Sequence, residues 1–411
     1  MSALPRLFET VRADGRPVSY DSHSARYGPL PLGSAGDLAD AVAASGLTGR
    51  GGAAFPTGAK LAAVAAQRRR PVVLANGAEG EPASGKDKSL LAYVPHLVLD
   101  GALLAARAIE AREAIVATTP AVEQRVRAAV SERRERGLRV VGVPDRFVSG
   151  EETALVNYLN GGPARPTFTP PRPFERGVGG APTLVLNVET LAQIALIARY
   201  GSDWFRSVGT PAEPGSVLVT LSGAVAQPGV YEVALGTPFT ELLEVAGGAT
   251  AELAALLVGG YFGNWIAAAD ARAAALSNES LNRVRASLGA RALVAFPAGA
   301  CGVAETARVM RYLADESAGQ CGPCVYGLAA VAGNLEQLAH RDRRAPDTGL
   351  LRRRLSQIAG RGACAHPDGA VGLVTSALRV FGPEFERHAQ GRRCSGTARR
   401  ILPIPERVVA A

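Results

Sequence analysis

A chain of 411 residues is long enough for two or three domains, each with its own core. Hydrophobic residues make up 47% and charged residues 20%, the balance of a folded protein and not of a disordered one. The net charge of +8 leaves room for an acidic partner, yet the arginines are scattered among acids with no aromatic-interleaved basic stripe, so nucleic-acid binding is not expected.

The N-terminus, Met1 to Glu9, has no charged-then-apolar leader, and a cytoplasmic protein is expected. Residues 1–33 contain four prolines and little periodicity, which suggests an extended arm. Asp37 to Ser45 has the pattern of a short helix ended by Gly46. Thr48 to Lys60 then packs four glycines, a proline, an arginine and a lysine into thirteen positions. A regular helix or strand has no use for that density of glycine, whereas a loop that lays bare backbone N–H groups against a phosphate does. The alternative is a mobile surface loop. The chain has only three lysines, Lys60, Lys86 and Lys88, all in this loop or the next glycine-rich one. Arginine serves everywhere else, so these two segments have a local need for a compact cation on a flexible stem.

A helix is expected from Gly58 to Arg68, then a buried parallel strand from Arg70 to Asn76. That strand delivers the second glycine-rich loop, Asn76 to Lys88, at its carboxyl end, where open α/β sheets bind their ligands. The most apolar stretch, Leu90 to Ile109, is broken by Pro95, His96, Asp100 and Arg107, so direct membrane insertion is not expected. A helix over Pro95–Ala111, a strand over Glu113–Thr118, an arginine-rich helix over Ala121–Gly137 and a strand from Leu138 complete a β-α-β-α-β alternation. This pattern argues for a three-layer, doubly wound α/β domain.

Gly150-Glu151-Glu152-Thr153 opens another helix, and its two acids either suit the helix dipole or face the crevice as a carboxylate pair. Gly161 to Pro182 holds six prolines and five glycines and is loop. Thr183 to Thr190 leads into a helix over Leu191–Tyr200, and the composition of Thr210–Gly215 marks a linker. A hairpin from Ser216, a helix over Pro238–Val245 and a strand from Leu256 fit a small β-grasp domain, followed by a strand over Arg291–Phe296. From Val303 to about His388 the pattern is helical, and the remainder is a tail.

Five cysteines in so long a chain do not make a disulfide framework. Cys321-Gly-Pro-Cys324 points two sulfurs at one centre, and Cys364 can close the site. A redox dithiol, zinc and an iron–sulfur cluster remain comparable on chemistry alone. Cys301 and Cys394 read as incidental.

At this point the chain resembles the flavin- and NADH-binding subunit of respiratory complex I, a module also found in NAD-linked hydrogenases and formate dehydrogenases. The resemblance runs from about Ser45 to Glu386. It rests on Gly49 to Lys60, Asn76 to Asp87, Gly150 to Ala154, Asn187 to Thr190, Ser222 to Tyr231 and Glu316 to Cys324 in order. It implies an α/β fold with a Rossmann-like FMN-binding domain (34–212), a β-grasp domain of the SLBB or ubiquitin-like type (213–296) and a helical iron–sulfur domain (297–390). An arm (1–33) and a tail (391–411) flank them.

Carried over by position, Gly49, Gly51, Gly52 and Lys60 would hold the flavin phosphate, with Asn76, Glu79, Gly150, Glu151, Asn187 and Thr190 lining the rest of the flavin site. NADH would stack near Phe55, with Glu81 and Glu152 on its polar groups. The implied path is from NADH to FMN, into a cluster held by Cys321, Cys324 and Cys364, and on to a ferredoxin-like or other iron–sulfur protein. The family pattern is broken at Ala78, Leu186, Thr169 and Arg172, and at Ala318, which stands where the first cluster cysteine is usual. Three cysteines suit a [3Fe-4S] cluster, or a [4Fe-4S] cluster with His366 or Cys301 as further ligand, or mark a lost cluster. The alternatives to an NADH-oxidising enzyme are a scaffold or assembly protein without turnover, and a flavoprotein reduced by ferredoxin whose nicotinamide site is vestigial.

Overall fold

The structure is a computed structural model that describes residues 4–31, 35–342, 347–392, 394, 396 and 399–405. The chain divides into two units, the first formed by Met1–Gly80, Gly85–Val219 and Val230–Thr237, the second by Glu81–Ser84, Thr220–Gly229 and Pro238–Ala411. The ends of the expected arm (1–3 and 32–33) and much of the expected tail (393, 395, 397–398 and 406–411) lie outside the described residues.

The first unit runs through α1 (Tyr20–Tyr27), α2 (Ala35–Ser45), α3 (Thr57–Ala65), β1 (Val72–Gly77), α4 (Lys86–Tyr93), α5 (Pro95–Ala108), β2 (Glu113–Thr118) and α6 (Pro120–Ser131). It continues with β3 (Leu138–Gly142), α7 (Glu152–Leu159), β4 (Thr183–Asn187), α8 (Val188–Arg206), the start of β5 (Ser216–Gly223) and β6 (Gly229–Ala234). The sheet order is β3-β2-β1-β4, and every pair is parallel. Successive side chains of a strand point to opposite faces. Val73 and Ala75 of β1 therefore join Val116, Leu184 and Leu186 in one core, while Val72 and Leu74 join Ile115, Ala117 and Val185 in another. Both faces are covered, which is why these strands are apolar throughout.

Two local expectations are corrected. The N-terminal stretch is not simply extended: Tyr20–Tyr27 is helical, started by Ser19, whose hydroxyl accepts from the Ser22 N–H. Leu7 is fully buried, and the N–H groups of Arg6, Leu7 and Phe8 all donate to Glu232 Oε2. The loop from Asn76 to Lys88 ends early in α4, because Glu79 accepts from the N–H groups of Asp87 and Lys88 at 3.2 and 3.1 Å. A carboxylate on the free N–H groups of a first helical turn both satisfies them and complements the dipole.

The second unit holds the end of β5, α9 (Phe239–Val245), β7 (Leu253–Val258), β8 (Asn264–Ala267), α10 (Ala268–Arg272), α11 (Asn278–Arg283) and β9 (Ala292–Pro297). Thr220–Gly223 of β5 pairs parallel with β9, β9 antiparallel with β7, and β7 antiparallel with β8. Five helices follow: α12 (Gly302–Asp315), α13 (Ala329–His340), α14 (Thr348–Ile358), α15 (His366–Val380) and α16 (Gly382–Ala389). Sheet and helices share a core in which Trp265, Phe296 and Phe381 meet edge to face at 5.1 to 5.5 Å. Among the described residues no single helix is long and apolar enough to cross a membrane.

Candidate functional site

In the first unit the predicted residues gather at the carboxyl ends of β1 and β4. Asn76 and Asn187 are register partners on these adjacent strands. Asn76 donates through Nδ2 to the Gly150 carbonyl at 2.8 Å. Gly150 has to be glycine there, because a Cβ would lie 2.2 Å from the Ala78 carbonyl oxygen. Asn187 starts α8, accepting from the Glu189 N–H at 3.0 Å, while its amide donates to Asp87 Oδ2 at 2.7 Å.

The loop between α2 and α3 is pinched shut. Thr48 and Pro56 form an isolated antiparallel bridge, and Gly49 N–H donates to the Phe55 carbonyl at 2.8 Å. Arg50 is the peg that fixes it. Its N–H donates to Thr190 Oγ1 at 2.8 Å, and its buried guanidinium reaches the Ser216 carbonyl at 3.2 Å. Thr190 thus anchors the loop's backbone. Beyond the peg the chain turns outward through Gly52 at φ +117°, a conformation that suits glycine. Among the described residues nothing accepts from the N–H groups of Gly51, Gly52 and Ala53. Phe55 is 57% exposed.

Lys60 lies on the first turn of α3, with Nζ 3.4 Å from Glu152 Oε2. The two acids that opened α7 in the sequence have different jobs. Glu151 caps the helix, accepting from the N–H groups of Thr153 and Ala154 at 3.0 Å each, and Glu152 faces Lys60. A row of unpaired N–H groups leading into a helix whose first turn carries an ammonium fits the phosphate of a flavin mononucleotide. Bound there, FMN would supply the hydride-accepting and one-electron chemistry, which the protein's own side chains cannot.

The sequence reading marked Lys86 but not the buried network around it. Lys86 is 2% exposed, and its Nζ lies 2.6 Å from Asp87 Oδ1, 2.9 Å from Glu189 Oε2 and 3.3 Å from Asn187 Oδ1. Burial pushes the Asp87 carboxyl up to about 6 against the pull of Lys86. The scarcity of lysine had pointed to Lys86, but nothing local pointed to Glu189. Glu81 belongs to the second unit, where its Oε2 accepts from the Tyr261 N–H at 2.7 Å.

The three expected metal-binding cysteines meet in the second unit. Cys324, buried at the start of a π-helical turn, has its thiol pushed up to about 12 by burial first and then by its neighbours Cys321 and Cys364. Three soft sulfurs that neighbour one another fit an iron–sulfur centre. Ala318 is itself buried and has no donor atom. Of the suggested replacements, His366 spends Nε2 on the Leu313 carbonyl at 2.7 Å. Cys301 stands at the start of α12, whose 14 residues, about 20 Å of helix, separate it from the cluster loop.

Comparison with known proteins agrees with this layout. The model for the Nuo51 FMN-binding domain matches residues 42–196, that for the SLBB domain 218–260, and that for the NADH-ubiquinone oxidoreductase-F iron-sulfur binding region 304–388. The second F subunit of the NADH-quinone oxidoreductase of Rhizobium meliloti (strain 1021) is 32% identical over 379 residues, covering 87% of this chain and 90% of that protein. The NADH-quinone oxidoreductase F subunit of Streptomyces coelicolor is 33% identical over 384 residues, covering 87% and 84%. A solved NAD+-reducing [NiFe]-hydrogenase in the H2-reduced state superposes with a TM-score of 0.80 at 30% identity, over 89% of this chain and 64% of that one.

The class so defined is that of FMN- and iron–sulfur-dependent electron-transfer proteins of the NADH dehydrogenase type. Within it, the chain belongs to the family of NADH-quinone oxidoreductase F subunits. This family works within multi-subunit complexes alongside iron–sulfur electron-transfer subunits and NADH.

Proposed function

We propose that the chain takes electrons from NADH, holds FMN at the strand ends of its first unit and an iron–sulfur cluster in its second, and delivers electrons to a ferredoxin-like partner. Gly49, Gly51, Gly52 and Lys60 hold the flavin phosphate. Asn76, Glu79, Gly150, Glu151, Asn187 and Thr190 shape the remainder of that site, most of them by fixing backbone and not by touching the ring. Phe55 offers an exposed face for the nicotinamide, and Glu152 takes one of its polar groups. Cys321, Cys324 and Cys364 hold the cluster, with a non-cysteine ligand or a vacant iron position standing for Ala318.

The observation that carries this reading is the unpaired N–H row of Gly51, Gly52 and Ala53 in the loop just before the helix that carries Lys60. The net charge of +8 supports an acidic partner such as a ferredoxin. No disulfide joins the five cysteines, which is compatible with a reducing, cytoplasmic location.

The test is an absorption spectrum of protein purified without oxygen, followed by anaerobic titration with NADH. Flavin bands over a broad cluster shoulder, with the flavin bleached by NADH, are expected. Bleaching by reduced ferredoxin but not by NADH would transfer the reading to a ferredoxin-reduced flavoprotein. A colourless protein would leave only a scaffold.

A further inference from the structure

Cys301 and Cys394 were both passed over in the sequence, yet the fold brings them together around a histidine. The sulfurs of Cys301 and Cys394 and a ring nitrogen of His388 all lie within 4.8 Å of one another. Cys301 is 3% and His388 1% exposed, and Cys394 is half-buried. The Cys301 Sγ to His388 Nε2 distance is 3.6 Å. In a tetrahedral zinc site with bonds of about 2.3 Å to sulfur and about 2.0 Å to nitrogen, the two donor atoms stand roughly 3.5 Å apart.

The histidine is also oriented for coordination. His388 Nδ1–H donates to the Leu338 carbonyl at 2.9 Å, so the lone pair of Nε2 faces the sulfurs. Ligating histidines are held in this way, by a carbonyl on the ring nitrogen away from the metal. Among the described residues, Nε2 finds no partner other than the Cys301 sulfur. Cys301 stands at the N-terminal end of α12, where its sulfur accepts from the Ala304 N–H at 3.4 Å.

We infer that Cys301, His388 and Cys394 form a second metal site, separate from the cluster cysteines, which binds a divalent zinc ion through two thiolates and one imidazole with water in the fourth position. Two soft thiolates and an imidazole suit zinc, whereas magnesium and calcium prefer oxygen donors. The ion ties the stretch after α16 to the start of α12. Residues further along lie against the same helix: the Ile401 and Leu402 N–H groups donate to Glu305 Oε2 at 3.1 and 2.9 Å, and Arg308 donates to the Leu402 carbonyl. The site is therefore a staple for the C-terminal segment, with no part in electron transfer.

Elemental analysis of the purified protein, after exposure to zinc sulfate and gel filtration, tests this. About one zinc per chain is expected in the wild type, falling at least about tenfold in Cys394→Ala and in His388→Gln, with iron and flavin contents unchanged. The C-terminal segment of Cys394→Ala should also be cut sooner by trypsin. A wild type that retains no zinc would overturn the site. So would zinc held equally well by Cys394→Ala, since the ion would then sit on the cluster cysteines. A Cys301–Cys394 disulfide in anaerobically alkylated protein would overturn it as well.

Discussion

The ammonium of Lys86 lies 2.9 Å from the Glu189 carboxylate, and both side chains are closed to solvent at 3% and 0% exposure. Asp87 at 2.6 Å and the Asn187 amide oxygen at 3.3 Å complete its surroundings. Glu189 in turn accepts from the Leu218 N–H at 2.9 Å. One buried cation thus joins the start of α4, the start of α8 and the strand that leads out of the first unit.

Removing that cation leaves two buried carboxylates facing each other without a counter-charge. Lys86→Met should cost about 3–5 kcal/mol of stability, the usual penalty for stranding a buried charge. Lys88→Met, one of the two other lysines, should change stability by less than about 0.5 kcal/mol. Urea unfolding of the two variants measures the contrast, and equal midpoints would show that the Lys86 network adds nothing.

Lys60 and Glu152 stand 3.4 Å apart but are both partly exposed, so their pairing adds little stability. Their effects should fall on ligands instead. Lys60→Ala should weaken FMN binding about 10- to 100-fold, the worth of one charge-assisted hydrogen bond. Glu152→Gln should leave flavin content unchanged and raise the KM for NADH. Flavin content by absorbance and steady-state kinetics check both, and full flavin occupancy in Lys60→Ala would misplace the phosphate.

The sequence made some of this architecture readable and hid the rest for a physical reason. Parallel strands buried on both faces are apolar runs between breakers, so β1 and β2 stood out, as did the glycine density of the loop after α2. Lysine scarcity marked Lys60 and Lys86. What stayed hidden is held by contacts distant in sequence. Glu79 caps α4 from across a loop, Glu189 reaches Lys86 from another strand end, and Cys301 meets His388 and Cys394 only once the helices have packed. No periodicity encodes such pairs.

His96 should make the first unit acid-sensitive above the carboxylate range. Its imidazole is held down to about 4, by burial first and then by His23 of α1 and Arg133 beyond α6, while Glu132 at 3.2 Å pulls the other way. In the unfolded chain its pKa is near 6.5. Between these values the unfolded chain takes up a proton that the folded one refuses. Stability is therefore lost as pH falls from about 6.5 toward about 4. Thermal melts across this window should decline more steeply for wild type than for His96→Gln, and parallel curves would assign the acid loss to other groups.

Ala318 offers the most direct handle on the iron site. With Cys321, Cys324 and Cys364 as the proposed ligands, one position of a four-iron cluster has no thiolate, and an iron there without a protein sulfur is the one expected to be lost first on exposure to air. Ala318 is already buried in the loop that leads to Cys321, so a sulfur added at its β-carbon enters the same environment without displacing a polar group. Ala318→Cys should slow the aerobic decay of cluster absorbance about tenfold or more and raise iron per chain toward four, while flavin content stays constant. Iron analysis and EPR of the reduced protein read both effects. Identical iron content and decay rates in the two proteins would mean that residue 318 does not face the cluster, and that its fourth position is filled from elsewhere.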